Sequence, residues 1–152
     1  MRVCGIDPGN NGALCVLDTN RPGHVELLDI AKSTTYLMTH WLHNQQVDIV
    51  WREDVHSLFG MSAKSNFGFG RSVGIVTAVS EIVTKGIVAK TVTPKVWQKY
   101  AGVTAKGKAI KKEVSLIATT LYPLANIYGP KGGLLDGRSD ALLIAHYGVN
   151  HS

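Results

Sequence analysis

The chain of 152 residues has only two cysteines, few acids and no long apolar run. Cys4 and Cys15 lack the spacing of metal ligands, and we interpret them as small buried thiols of a protein from a reducing compartment. No apolar stretch reaches the roughly 18 residues that a membrane span needs. Asp7 also interrupts any apolar run near Met1, so no secretory signal is predicted. We therefore expect a cytoplasmic protein.

Acids are missing from one long segment in particular. From Lys85 to Lys112 the sequence contains eight lysines and no acid, and the whole chain has a net charge of +5 from 16 Lys and Arg against 11 Asp and Glu. A block of one sign on a folded domain indicates an anionic partner, most often nucleic acid. The alternative is a solvated surface with a local excess of lysine.

The order of predicted elements indicates a single α/β domain over residues 1–152. Strands are predicted over 2–7, 12–18, 24–30, 47–53 and 87–92. Helices are predicted from a cap at 33–35 to about 46, from about Phe67 to Lys85, over about 94–100, over 108–121 and over 136–147. An antiparallel meander followed by parallel strands predicts a five-stranded mixed sheet with helices on both faces. The chemistry of such sheets lies at the carboxyl ends of the parallel strands.

Four acids stand where those ends should meet. Asp7 ends the first strand and Glu53 ends the fourth, while Asp136 and Asp140 share one face of the last helix. Clustered carboxylates resist ionisation unless a divalent cation compensates their charge. Mg²⁺ prefers oxygen ligands, and two such ions can drive phosphodiester hydrolysis. The pattern therefore predicts a site for two Mg²⁺ ions.

Some of these acids also have a structural alternative, and Asp140 is the hardest to explain in that way. Asp7 can accept hydrogen bonds from the amides of the turn that follows it. Asp54 competes with Glu53, although the end-of-strand position favours Glu53. Asp136 suits a helix N-cap, where the helix dipole stabilises an acid. Asp140 lies at the edge of an apolar helix face, where an acid is costly unless something pairs with it.

An ordered set of motifs resembles the RuvC Holliday-junction resolvases, which belong to the RNase H-like nuclease superfamily. These motifs are Gly5-Ile6-Asp7-Pro8-Gly9, the acid that ends the fourth strand, and Asp136-Gly137-Arg138-Ser139-Asp140-Ala141-Leu142-Leu143-Ile144-Ala145. The middle of the chain is more similar to the phage-type branch, in Glu53-Asp54-Val55-His56, Phe67-Gly68-Phe69-Gly70-Arg71-Ser72-Val73-Gly74 and Thr93-Pro94-Lys95-Val96-Trp97-Gln98. Actin-like ATPases share the first motif, but the chain is too short for their two lobes.

The resemblance implies a metal-dependent endonuclease that resolves four-way DNA junctions with Mg²⁺, which Mn²⁺ can replace. It implies a homodimer that makes paired symmetric nicks, leaves 5′-phosphate and 3′-hydroxyl ends, and works in a bacterium or a phage-infected cell. The four metal ligands of the family map onto Asp7, Glu53, Asp136 and Asp140. The last two positions are three apart in bacterial RuvC and four apart here, which leaves open that Asp136 only caps the helix.

The resemblance also implies DNA and dimer surfaces. The helix starting near Phe67 matches the dimer helix, and its glycines would let two helices approach closely. The loop after Glu53 matches a junction-probing loop, in which Phe59 and Met61 would wedge between bases or else anchor the loop to the core. Further DNA contacts are expected at Lys64, Arg71, Lys99, Lys106, Lys108, Lys111 and Lys112. His146 is expected to be structural.

Two other functions stay open on the sequence. A different nuclease on the same fold would act on other branched DNA or on RNA. A non-catalytic protein would bind junctions without cleaving them. In every case we expect no small-molecule cofactor and no membrane partner.

Overall fold

A computed structural model describes residues 1–56, 60–85 and 89–152, which fold around one mixed sheet. Its strands are β1 Arg2–Asp7, β2 Ala13–Asp18, β3 Val25–Asp29, β4 Ile49–Glu53 and β5 Lys90–Val92. Their order across the sheet is β3-β2-β1-β4-β5. The pairs β1–β2 and β2–β3 are antiparallel, and the pairs β1–β4 and β4–β5 are parallel. The predicted five-stranded mixed sheet is confirmed.

Helices cover both faces of this sheet. They are α1 Thr35–Gln45, α2 Ala63–Val83, α3 Pro94–Ala101, α4 Ile110–Leu121 and α5 Asp136–His151. Short 3-10 turns precede α1 and α4, at Ile30–Lys32 and Gly107–Ala109. Within the described ranges, none of the helices combines the length and the apolar character that crossing a membrane requires.

The alternation of side chains along the strands creates two cores. Val3 on β1 packs in the cluster that includes α3, α4 and α5, whereas Cys4 and Ile6 pack in the cluster that includes α1 and α2. Successive side chains of a strand point to opposite faces, so a nearly continuous apolar strand buries both. Cys4 and Cys15 are free and buried, as predicted, and burial raises the pKa of both thiols.

Several element boundaries differ from the predictions. The second long helix begins at Ala63 rather than near Phe67, because the Ser62 side chain caps it by accepting a hydrogen bond from the Ser65 amide at 3.1 Å. The third strand ends at Asp29, where the first 3-10 turn begins. The fifth strand begins at Lys90, because Ala89 is not part of it, and residues 87 and 88 of the predicted strand lie outside the described ranges. The last helix continues to residue 151 instead of 147.

Close backbone packing joins α5 to β1. A methyl group placed on Gly5 would overlap the backbone of Ala141 and Ala145. At the start of α5, Gly137 pairs with Gly12 in a short bridge, and a methyl group there would overlap the Asn11 carbonyl. Because no side chain separates the two elements, the first turns of α5 lie directly over the carboxyl end of β1.

A partly buried ion pair joins the same helix to the far edge of the sheet. Arg138 donates from Nε to Oδ1 of Asp29 at 2.6 Å and from Nη2 to Oδ2 at 2.8 Å. Its Nη1 also donates to the carbonyl oxygen of Asn126 at 2.7 Å. The bidentate guanidinium holds the pKa of Asp29 below its usual range. Arg138 thus fixes α5, β3 and the segment before α5 to one another.

We expect Gly5→Ala to destabilise the protein by roughly 3 kcal/mol or more, at the upper end of what overpacking costs, since the added methyl meets backbone that cannot rotate away. Urea unfolding followed by circular dichroism measures this change. Gly133→Ala is the matched control, because nothing lies within 4 Å of a methyl group at that position. Equal unfolding free energies for the two variants would contradict the close packing of α5 on β1.

Candidate active site

The first two acids stand side by side at the carboxyl end of the central strands. β1 and β4 are parallel with Ile6 opposite Arg52, so the next residues along, Asp7 and Glu53, are neighbours. Burial raises the pKa of Glu53 to about 7, and the charge of Asp7 adds to this effect. Of Glu53 and Asp54, Glu53 is the acid whose charge acts on Asp140.

Asp140 lies within electrostatic range of the other three acids. Burial is the main cause that raises its pKa, to about 8, and the charges of Asp7, Glu53 and Asp136 raise it further. Burial also raises the pKa of Asp7, with Asp136 contributing. The structure therefore brings all four predicted acids to one end of the sheet, where Asp7, Glu53 and Asp140 resist ionisation.

Hydrogen bonds hold two of these carboxylates in place. Asp7 Oδ1 accepts from the Gly9 amide at 3.1 Å, so the turn role considered for Asp7 exists together with its place in the cluster. Glu53 Oε1 accepts from the indole nitrogen Nε1 of Trp97 at 2.8 Å. Both bonds favour the charged carboxylate and partly offset the effect of burial on its pKa.

A lysine supplies the positive charge of the cluster. Lys111 Nζ forms a short ion pair with Asp136 Oδ2, and its ammonium also interacts with Asp140 and Asp7. These carboxylates raise the pKa of Lys111, chiefly through Asp136. Asp136 is the first residue of α5, whereas the N-cap is Leu135 and no side chain caps the helix. The helix-cap interpretation of Asp136 is therefore wrong.

The side chains are not arranged to hold a metal ion as they stand. In the part of the chain that the structure describes, no three His, Cys, Asp or Glu side chains are grouped closely enough to share one. The donor set nevertheless suits a hard divalent cation, because the cluster offers four carboxylates whose mutual repulsion such an ion would relieve. A metal ion bound by all four carboxylates would require Asp136 to separate from Lys111.

The predicted DNA-contacting residues differ in burial and in their partners. Met61 is partly buried at the start of α2, and Phe59 lies outside the described residues. The exposed basic positions are Lys64, Arg71, Lys99, Lys106, Lys108, Lys111 and Lys112. Of these, Lys111 differs from the expectation in having a carboxylate partner within the cluster.

An acid at the end of the lysine block organises the loop before α4. The Glu113 carboxylate accepts from the amides of Ala105 at 2.6 Å and Thr104 at 2.9 Å, and from the Thr104 hydroxyl at 2.9 Å. These bonds, led by that of Ala105, hold the pKa of Glu113 below its usual value. The loop that carries Lys106 and Lys108 is thereby anchored to the first turn of α4.

A cavity beside α2 was not expected from the sequence, whereas the glycines of α2 were. A cavity of about 600 Å³ opens between the turn after β1 and α2, with Asn10, Thr34 and Arg71 in its wall. On α2, exposed apolar and small residues recur every three or four positions, so they form one stripe. The α2 stripe consists of Phe67, Gly70, Gly74, Ala78 and Ile82.

The role of Trp97 was also missed, although it stands in one of the quoted motifs. Its side chain is only 1% exposed, and a buried indole N–H needs an acceptor, which is the signal that was available. His146 is structural in the described contacts, as expected. It bonds the Tyr122 hydroxyl at 2.9 Å, and burial lowers its pKa.

Comparisons with solved structures identify the fold. The chain superposes on RuvC of Thermus thermophilus with a TM-score of 0.64 and 22% identity, covering 99% of this chain and 97% of that one. It superposes on T. thermophilus RuvC in complex with a Holliday junction substrate with a TM-score of 0.63 and 19% identity, covering 95% and 90%. No protein-family model and no curated protein matches the sequence. The chain therefore has the RNase H-like fold of RuvC.

We expect Asp140→Asn to make the protein more stable at alkaline pH when EDTA is present. With a folded-state pKa of about 8, Asp140 keeps a proton that the unfolded chain loses above about pH 4, so the free energy of unfolding falls as pH rises between these values. Removing this group should raise the unfolding free energy by about 1–3 kcal/mol at about pH 8.5 and leave it nearly unchanged at about pH 4.

Urea unfolding at both pH values tests this expectation, with Asp18→Asn as the control of opposite sign. The pKa of Asp18 is lowered, first by the Asn20 amide and then by Arg2, so its charge stabilises the fold above the unfolded pKa. Asp18→Asn should therefore lose stability at alkaline pH. A loss for Asp140→Asn under the same conditions would mean that its carboxylate is not electrostatically strained.

Proposed function

We propose that this protein is a metal-dependent endonuclease that resolves four-way DNA junctions by paired symmetric nicks. One observation carries the proposal: four carboxylates from β1, β4 and α5 interact electrostatically at the carboxyl end of the central strands of a RuvC fold. The solved relative in complex with a Holliday junction supports the choice of substrate. The motifs around Glu53 and Trp97 favour the phage-type branch.

We infer that Asp7, Glu53, Asp136 and Asp140 bind two Mg²⁺ ions, or Mn²⁺ in their place. Bound there, such ions would activate a water and stabilise the leaving 3′ oxygen, which yields 5′-phosphate and 3′-hydroxyl ends. Asp7 and Glu53 supply oxygens from rigid strand ends, and α5 supplies the rest. Lys111, once separated from Asp136, has an exposed ammonium free to pair with a DNA phosphate.

The basic surface supports a nucleic-acid partner rather than another anion. The lysines of the loop before α4 are exposed, and Glu113 fixes the backbone of that loop. Fixing the loop lowers the conformational entropy lost when its lysines meet a phosphate backbone. Arg71 adds an exposed positive charge on α2, beside the turn after β1.

We further propose that the active form is a homodimer joined through the α2 stripe. Phe67 is 77% exposed, and methyl groups at Gly70 and Gly74 would meet nothing within 4 Å. An exposed apolar residue next to such open glycines suits close packing against a second helix of the same kind. Two sites related by a two-fold axis would explain paired nicks on opposite strands.

We expect Asp7→Asn to abolish nicking of a synthetic four-way junction, with a loss of about a thousandfold or more, while junction binding measured in Ca²⁺ survives. The amide keeps the shape of the side chain but removes the charge that compensates a divalent cation. Asp54→Asn is the matched control and should retain nicking. Turnover by Asp7→Asn in Mg²⁺ would remove this carboxylate from the mechanism.

Mapping the nicks on several substrates decides between the related functions. The parent protein should cut the four-way junction symmetrically and in preference to a fork, plain duplex DNA or structured RNA. Preference for the fork or for RNA would indicate another nuclease on this fold. Binding of the junction without any nick in Mg²⁺ or Mn²⁺ would indicate a non-catalytic junction-binding protein.

We expect Gly74→Leu to convert the dimer into a folded monomer. The side chain enters open space in the single chain and improves helix propensity by roughly 1 kcal/mol, so the fold itself should not suffer. Analytical ultracentrifugation measures the change of mass, and Thr120→Leu on an exposed part of α4 serves as the control. A dimer of unchanged stability would show that the α2 stripe is not the interface.

A further inference from the structure

The Trp97 side chain contacts Glu53 but has no role in the proposed function so far. Its indole nitrogen donates to Oε1 of Glu53 at 2.8 Å across 44 residues of sequence. The ring is 1% exposed and packs in the core cluster that also contains Val92 and Val114. A side chain packed in this way has almost no freedom to turn, so the direction of its N–H is fixed by the core.

The backbone explains how the indole reaches the carboxylate. Glu53 on β4 is opposite Val92, the last residue of β5, and α3 begins two residues later at Pro94. The Thr93 carbonyl accepts from the amides of Val96 at 3.0 Å and Trp97 at 3.3 Å, which closes the first turn of α3. Trp97 therefore comes back over the end of the strand that carries Glu53.

The bond acts on one oxygen of a group that has two. A carboxylate offers about four acceptor sites, and Trp97 takes one of them on Oε1. Oε2 and the remaining lone pairs stay available for another partner, while rotation of the whole group is restrained. Partners of this kind orient metal-binding groups and raise their affinity for an ion in many proteins.

We propose that Trp97 is a positioning residue for Glu53, and that its indole N–H holds the carboxylate in the orientation needed to bind a divalent cation. The inference rests on the proposed function, because it assumes that Glu53 is a metal ligand. A packing role would depend on the volume of the Trp97 ring. The positioning role depends instead on the indole N–H group.

The chain contains its own control for this distinction. Trp51 is also buried, and its indole nitrogen donates to the Ser152 hydroxyl at the same distance of 2.8 Å. That bond lies at the end of the chain remote from the carboxylates. Trp97→Phe and Trp51→Phe each remove one indole hydrogen bond from the core, but only the first removes a bond to Glu53.

The first measurement uses the indole signals in ¹H–¹⁵N spectra of the metal-free protein. We expect Glu53→Gln to shift the Trp97 indole signal and to leave the Trp51 signal in place. Titration of the unchanged protein with Mg²⁺ should likewise move the Trp97 signal alone. This measurement does not require Trp97→Phe to fold. A Trp97 indole signal whose position is unchanged by Glu53→Gln would overturn the proposal.

The second measurement compares Mn²⁺ binding by electron paramagnetic resonance. Trp97→Phe should bind Mn²⁺ about tenfold more weakly than the unchanged protein, and Trp51→Phe should bind it equally well. Excess Mn²⁺ should restore junction nicking by Trp97→Phe but not by Asp7→Asn, with junction affinity in Ca²⁺ the same throughout. Equal Mn²⁺ affinity of the two Phe variants would reduce Trp97 to a packing residue.

The outcomes separate this inference from the proposed function. If the unchanged protein binds Mn²⁺ and nicks junctions while Trp97→Phe matches Trp51→Phe, only the positioning role fails. If the unchanged protein binds no Mn²⁺, the proposed metal site fails and the positioning role fails with it.

Discussion

The direct packing of α5 on β1 is the contact on which the rest of the structure depends. Gly5 allows the backbone of Ala141 and Ala145 to lie against the strand, and the apolar side chains of α5 complete one core. The same contact places two acids of α5 beside Asp7. The carboxylates are thus brought together by apolar packing and not by mutual attraction. The free energy of hydrophobic burial offsets the electrostatic repulsion within the cluster.

Three of the four carboxylates are each stabilised by a different neighbour. A turn amide serves Asp7, the Trp97 indole serves Glu53, and the Lys111 ammonium serves Asp136. Asp140 interacts with the charges of the other three acids, and its pKa is raised to about 8. The turn amide and the indole are uncharged, and Lys111 is the one cation among these partners. The cluster of carboxylates therefore keeps an excess of negative charge. That excess favours a divalent cation over further protein contacts.

The sequence was sufficient for those features that depend on local pattern. Strand ends at Asp7 and Glu53, and the shared helix face of Asp136 and Asp140, follow from periodicity and from polar residues that stop apolar runs. The predicted start of α2 near Phe67 is wrong, because the Ser62 side chain caps the helix and it begins at Ala63. Pairs such as Lys111 with Asp136 join residues 25 apart through tertiary packing, and no local pattern encodes them.

The bidentate contact between Arg138 and Asp29 joins an outer strand of the sheet to the helix that carries two of the four acids. Outer strands open more readily than central ones, because neighbours pair with them on one side only. Because the Arg138 guanidinium binds both carboxylate oxygens of Asp29, both hydrogen bonds are lost together when β3 separates from the sheet. Transient fraying of β3 would therefore loosen the first turn of α5, and hydrogen exchange of the β3 amides would report how often the carboxylate cluster is disturbed.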